Sequence, residues 1–265
     1  MQKTDEKERI EQDKRLKERM FRINHKLIVI SGKGGVGKST VAVNLSYGLA
    51  AKGNKVGLLD VDIHGPNIAK MLGIEPISVL PNLKAVSLAL LFEDRDQPII
   101  WRGPLKMITI KQFLADVNWG ELDFLIVDSP PGTGDEPLSV CQLIPDLGGA
   151  IIVTTPQDVA VLDSRKSVLF AKELKVPIVG VIENMSGFIC PHCGKEIDLF
   201  GMGGGERAAA DLKVPFLGRI PVESEMVKSG DSGKPFLSAS KISPAATVMD
   251  NIVKKISDFL SRNEL

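Results

Sequence analysis

The chain lacks net charge. Its 33 Lys+Arg are matched by 33 Asp+Glu, so no global field draws it to nucleic acid or to an anionic membrane. It also lacks any apolar run near the ~20 residues of a membrane span. The first residues are charged where a secretory signal would be apolar, which predicts a cytoplasmic protein with neither membrane nor nucleic-acid partners. Cysteine is scarce, at three in 265 residues; two of them, Cys190 and Cys193, are spaced as a metal pair rather than as part of a disulfide framework. No internal repeat and no Pro/Gly linker divides the sequence, and its length suits one large α/β domain with a sizeable core.

What is present begins with MQKTDEKERIEQDKRLKERM, whose apolar residues are Ile10, Leu16 and Met20. The pairs Glu11/Arg15 and Asp13/Lys17 support a helix by i,i+4 contacts, but no heptad seam exists, so residues 1–22 are expected to form a charged, solvated arm. From residue 23 to 265, apolar strands at about 27–30, 55–60, 123–128, 149–154, 177–182 and 215–220 alternate with helical stretches. This predicts a single-domain, doubly wound, mostly parallel sheet with helices on both faces. Residues 77–100, irregular and proline-containing, are expected to hold short strands. A final helix, from about Pro244 to Arg262, carries Val248, Met249, Ile252, Val253, Ile256, Phe259 and Leu260 on one side, the spacing of a helix docked on a core.

Gly32 to Thr40 read GKGGVGKST. The loop follows an apolar strand and opens a helix, as a phosphate-binding loop requires. Glycines 32, 34, 35 and 37 let the backbone N–H groups, Val36 and Thr40 included, turn around phosphate oxygens; Lys38 serves the β/γ-phosphates and Ser39 a Mg²⁺ ion. Downstream, Leu58-Leu59-Asp60-Val61-Asp62 ends a strand in two alternating carboxylates, expected on the same side and close to the loop. One can approach Mg²⁺ while the other orients a water. His64 just beyond is expected to be a turn residue. A second apolar strand ends in Asp128, positioned as a magnesium-binding aspartate, and Pro130-Pro131-Gly132-Thr133-Gly134 joins stiff entry to glycines whose N–H groups can meet a γ-phosphate. Asn184 ends a further strand and offers both donor and acceptor to a purine edge. The guanine-specific N/T-K-x-D pattern is missing, so ATP is favoured.

Next to Asn184 lies Phe188-Ile189-Cys190-Pro191-His192-Cys193-Gly194, a turn on which two thiolates can converge on one ion. Two thiolates half-fill a tetrahedral site. His192 is expected to point away, and Cys141, in an apolar helix, to be a core residue. If two copies meet, two pairs of Cys190 and Cys193 complete a four-cysteine site, which suits zinc as well as an iron–sulfur cluster.

KGGVGKST resembles the deviant Walker A loop of the MinD/ParA/nitrogenase-iron-protein ATPases. The resemblance implies that Lys33 reaches across a homodimer to the partner's nucleotide, that Asp62 positions the attacking water, that Asp128 and Gly132 belong to the second switch, and that Asn184 and the loop holding Pro221 read adenine. ENMSGFICPHCG, the glycine-rich run Phe200 to Gly205, VPFLGRIPV and GDSGKP narrow the resemblance, over about residues 20–260, to the Mrp/ApbC group of iron–sulfur cluster carriers. This implies a slow ATPase whose homodimer holds a bridging [4Fe–4S] cluster and passes it to recipient apoproteins. Neither the extra N-terminal domain of many bacterial members nor the four-cysteine motif of eukaryotic scaffolds is expected. Two other readings stay open: a positioning ATPase, and a nucleotide-gated zinc scaffold with little hydrolysis.

Overall fold

In the computed structural model, residues 2–62, 67–72, 80–87, 103–190, 192–239 and 242–263 are described. The fold starts with helix α1 (Gln2–Phe21) and strand β1 (Ile23–Ser31), followed by α2 (Lys38–Ala51), β2 (Val56–Asp60), α3 (Ile68–Leu72) and β3 (Leu83–Ser87). The middle comprises α4 (Gly103–Asp116), β4 (Leu122–Asp128), α5 (Asp135–Leu143), β5 (Gly149–Thr154), α6 (Asp158–Glu173) and β6 (Ile178–Glu183). A small hairpin of β7 (Phe188–Ile189) and β8 (Glu196–Ile197) precedes α7 (Gly204–Asp211), β9 (Phe216–Arg219), α8 (Ser224–Asp231), α9 (Phe236–Ala239) and α10 (Pro244–Asn263).

Among the described residues, seven strands form one sheet in the order β3-β2-β4-β1-β5-β6-β9, and every pairing in it is parallel. Strands covered on both faces carry continuous apolar runs, which is why Leu27–Ile30 and Leu125–Val127 are fully buried. Two apolar layers result. One packs α2 and α10 on the sheet through Leu45, Leu49, Ile252 and Ile256; the other packs the opposite face through Ile28, Leu125, Trp119 and Val168. The order reverses around β1, so its C-terminal end opens on the crevice where such sheets take their ligands.

α10 docks as its spacing predicted, with Met249, Ile252, Val253 and Ile256 at 1% exposure or less. Its apolar face is therefore taken up by the sheet. No helix among the described residues is long and apolar enough to cross a membrane.

The expectation of a solvated N-terminal arm is corrected. α1 is helical, but its last turns dock: Leu16 and Met20 are buried, at 6% and 0%, in the layer that also holds Ile110 and Leu114 of α4. Lys111 meets Asp13 at 2.7 Å, Arg15 meets Asp116 at 3.3 Å, and Arg19 donates to Asn118 at 2.8 Å. A four-residue spacing of two apolar side chains suffices to bury one face of a helix when a neighbouring helix supplies the complement. β1 also starts four residues before the apolar run, pairing Ile23 with Leu122 and His25 with Phe124. Of the stretch 77–100, β3 is a strand; residues 77–79 and 88–100, like His64, lie outside the described residues.

Candidate nucleotide site and cysteine hairpin

The loop between β1 and α2 is shaped by glycine. Gly35 and Gly37 adopt φ of 80° and 83°, in the left-handed region that side chains disfavour. A Cβ on Gly37 would lie 2.1 Å from Asn184 Nδ2. That amide donates to Val36 O at 2.9 Å, so the end of β6 is tied to the phosphate loop. Gly32 backs onto α6, where a Cβ would lie 2.3 Å from the Asp163 carbonyl carbon.

Lys38 is buried and reaches Asp128 Oδ1 at 2.6 Å and Asp62 Oδ2 at 3.9 Å. Burial pushes the Asp128 carboxyl above its ordinary range, while the Lys38 charge and hydrogen bonds from Lys38 and Ser39 oppose the rise. Asp128 Oδ2 is buried with no hydrogen-bond partner. An unpaired carboxylate oxygen beside the Ser39 hydroxyl is the donor set a divalent cation takes, hard oxygen ligands on a dry floor, so these residues fit Mg²⁺.

The two aspartates at and just past the end of β2 part company. Asp60 ends the strand wholly buried and works as an anchor for the chain that follows: it accepts from Asp62 N at 3.1 Å, Ile68 N at 3.4 Å and Ser87 Oγ at 2.9 Å. Asp62 lies beyond the strand and lines the cavity. Burial, reinforced by the Asp128 charge, pushes Asp60 up to about 8.

The cavity, about 660 Å³, runs from Gly34, Gly35, Gly37, Lys38, Ser39 and Thr40 past Asp62, Asn184 and Pro221. Its lining also takes in Met71 of α3 and Met226 of α8, together with the charged Lys70, Glu223 and Asp231. A phosphate loop and apolar side chains lining one cavity suit a nucleoside phosphate, whose base is flat and apolar on its faces. Asn184 and Pro221, which the resemblance assigns to adenine, line the same cavity. Lys33, half-buried, does not line this cavity, and neither do Gly32, Val36 or Gly132. The Gly132 N–H donates to Ser31 O at 2.7 Å, which ties it to the end of β1.

The cysteines form the tip of the β7–β8 hairpin, whose register pairs Phe188 with Ile197 and Ile189 with Glu196. Cys190 N donates to Lys195 O and Gly194 N to Cys190 O, both at 2.9 Å, and Gly194 turns the chain with φ of 68°. Hydrogen bonds from the backbone of His192 and of Cys193, then from the Cys193 side chain, hold the Cys190 thiol below its ordinary value. That is the environment of a metal-binding or reactive thiol. Cys193 and His192 are exposed. Among the described residues no three His, Cys, Asp or Glu side chains converge as a metal group. Cys141 in α5 is half-buried and packs against the core, and burial pushes its thiol up to about 11.

Sequence reasoning missed Glu183. This fully buried carboxylate at the end of β6 accepts from Gly203 N at 2.8 Å, Gly205 N at 2.5 Å and Ser186 Oγ at 2.5 Å. Its signal was weak: one charge closing an apolar strand, with glycines 20 residues downstream.

Comparison with known proteins gives a consistent picture. Residues 22–257 match the ParA family described as NUBPL iron-transfer P-loop NTPase. The iron-sulfur cluster carrier protein of Methanocaldococcus jannaschii is 54% identical over 239 residues, 86% of this chain and 82% of that one. The cytosolic Fe-S cluster assembly factor NUBP2 homolog of Nematostella vectensis is 45% identical over 260 residues, 91% and 96% of the two chains. Among solved structures, a nucleotide-binding protein from Archaeoglobus fulgidus in complex with ADP, with cobalt, superposes with a TM-score of 0.74 at 36% identity, covering 89% of this chain and 95% of that one. The cell division ATPase MinD of Pyrococcus furiosus superposes at 0.65 with 21% identity, over 89% and 99% of the two chains, which bears on the fold alone.

Proposed function

The chain belongs to the NUBPL-type iron-transfer P-loop NTPase family, and from that premise we propose that it is an ATP-hydrolysing, cytoplasmic carrier of a [4Fe–4S] cluster. The cargo is held between two copies and handed to recipient apoproteins. The observation that carries this reading is the hairpin: two cysteines at an exposed turn, one with a lowered thiol pKa, and no third ligand converging on them among the described residues. A cubane cluster takes four thiolates, and a twofold axis through two hairpin tips supplies them. Exposed apolar side chains near the tips, Ile189, Ile197, Leu199 and Met202, give a second copy something to cover. The names of the archaeal and animal relatives support the cargo and the compartment.

In the nucleotide site the phosphate-loop N–H groups and Lys38 receive the phosphates, and Asn184 and Pro221 flank the base. Asp62 orients the attacking water. Ser39 and Asp128 would hold Mg²⁺, which would supply positive charge against the negative charge that develops on the phosphates during transfer. Lys33 adds its charge from the partner chain.

Anaerobic reconstitution tests the reading. Iron and sulfide analysis should give about one four-iron cluster per dimer, on the arithmetic of four thiolates per cluster. Cys190→Ala and Cys193→Ala should each lose the cluster yet bind ATP, whereas Cys141→Ala should keep it. Lys38→Ala should lose ATP binding, and Asp62→Ala should bind ATP but turn over far more slowly. A complete metal site in each monomer, or stoichiometric zinc with no cluster uptake, would sink the carrier reading.

A further inference from the structure

We propose that Phe200 receives the base of the bound nucleotide, so that the cysteine hairpin itself forms part of the nucleotide wall and senses its occupancy, with Glu183 fixing the hairpin's base. The inference rests on the nucleotide-binding reading above and extends it to residues outside the phosphate loop and the Asn184–Pro221 pair.

The hairpin is an excursion between β6 and α7, and its two ends converge on one carboxylate. Burying a charge is costly unless it is fully hydrogen-bonded, and Glu183 meets that cost with Ser186 Oγ at one end and the N–H groups of Gly203 and Gly205 at the other. Arg219 Nε lies 3.6 Å away. The approach is close enough to require glycine: a Cβ on Gly205 would lie 3.1 Å from Glu183 Oε2 and 2.8 Å from Thr154 Cγ2. The ends of the excursion are therefore fixed.

Its two arms touch the nucleotide cavity. On the outgoing arm, Met185 lines it; Ser186 N donates to Ile220 O at 3.0 Å, and Val222 N donates to Gly187 O at 2.8 Å. These bonds join the hairpin stem to the segment that carries Pro221. On the return arm, Phe200 lines the same cavity while 42% exposed. A half-exposed aromatic ring lining the same cavity as Met185 and Pro221 is a surface that a nucleobase would cover by stacking. Phe200 follows β8 by three residues, and β8 pairs with β7 directly below the cysteine turn. A base seated on Phe200 thus restrains the strand pair that presents Cys190 and Cys193. Coupling of this kind is reciprocal: whatever the thiols hold alters nucleotide affinity in turn.

Hydrogen exchange on the full chain reads this directly. Saturating ADP should slow exchange of the amides of residues 186–202 by about threefold or more. Saturating pyrophosphate, which fills the phosphate loop but carries no base, should leave them unchanged. Phe200→Ala should bind pyrophosphate as the parent chain does, bind ADP about tenfold more weakly for the lost stacking, and show no slowing at saturating ADP. Glu183→Gln, which keeps the side chain's size but turns an amide toward the glycine N–H groups, should still bind ADP and lose the slowing. Equal slowing by pyrophosphate and ADP, unchanged exchange with ADP proven bound by calorimetry, or full ADP affinity in Phe200→Ala would each overturn the proposal. If calorimetry shows that neither ADP nor pyrophosphate binds, the nucleotide reading itself has failed and the inference falls with it.

Discussion

Asp60 illustrates how much a single buried carboxyl can impose. Burial and then the Asp128 charge push it up to about 8, against the pull of Ser87, the Asp62 N–H and Lys38, whereas in an unfolded chain it titrates near 3.9 or so, the ordinary aspartate value of about that size. Between those values the folded protein retains a proton that the unfolded chain has released, so stability is greatest at the acid end of the window and falls as pH rises through it. Asn is isosteric, can accept from Asp62 N and can donate to Ser87. Asp60→Asn should therefore flatten the decline in urea midpoint between about pH 4 and about pH 8, the window those two values define. A variant profile parallel to the parent's would show that Asp60 is ionised throughout. Gly37 makes a steric counterpart, because its φ of 83° and the Asn184 amide leave no room for a methyl group. Gly37→Ala should abolish ADP binding in calorimetry by displacing Asn184 or the loop; an unchanged affinity would mean the loop can re-form around the added carbon.

At the scale of the element, α1 gives the clearest test of a docked against a solvated helix. Met20 is fully buried, and truncating such a side chain leaves a cavity that neighbouring atoms only partly close. Met20→Ala should cost about 2–4 kcal/mol in denaturant unfolding and leave ADP affinity unchanged, whereas Ile10→Ala, at a position 63% exposed, should leave stability unchanged. The helix was legible in the charge pairs of its sequence, but its docking was not: Leu16 and Met20 form a stripe of one turn, too short to read as a period, and the complement lies near residue 110, in α4. The sheet was far easier to read, because strands buried on both faces must be apolar throughout, and Leu27–Ile30 or Leu125–Val127 admit little else. The phosphate loop and the cysteine turn were likewise local in sequence. Glu183 escaped notice because its meaning is wholly tertiary: the partners are backbone N–H groups on a helix start 20 residues on. Asp60 and Asp62 were read as a pair by strand alternation; β2 stops at Asp60, and of the two it is Asp62 that lines the cavity.

At the scale of the whole molecule, the question is whether one copy is a complete machine. Lys33 sits at the start of the phosphate loop, half-buried and outside the cavity lining, while α6, against which Gly32 packs, exposes Val159 and Leu162 at 67% and 59%. A cation beside a site it does not line, next to exposed apolar side chains, fits a residue that acts on the nucleotide of a second copy. Lys33→Ala should keep the fold and lower hydrolysis, but so would loss of a charge acting within its own chain. Mixing separates the two. In a mixed dimer of Lys33→Ala with Asp62→Ala, the first chain keeps its own Asp62 and can receive Lys33 from the second, which makes one competent site; each homodimer alone has none. Activity rising above both homodimers as the two are mixed is the expected result for action in trans. If mass spectrometry shows that the chains have exchanged and hydrolysis still does not recover, Lys33 serves its own chain's nucleotide.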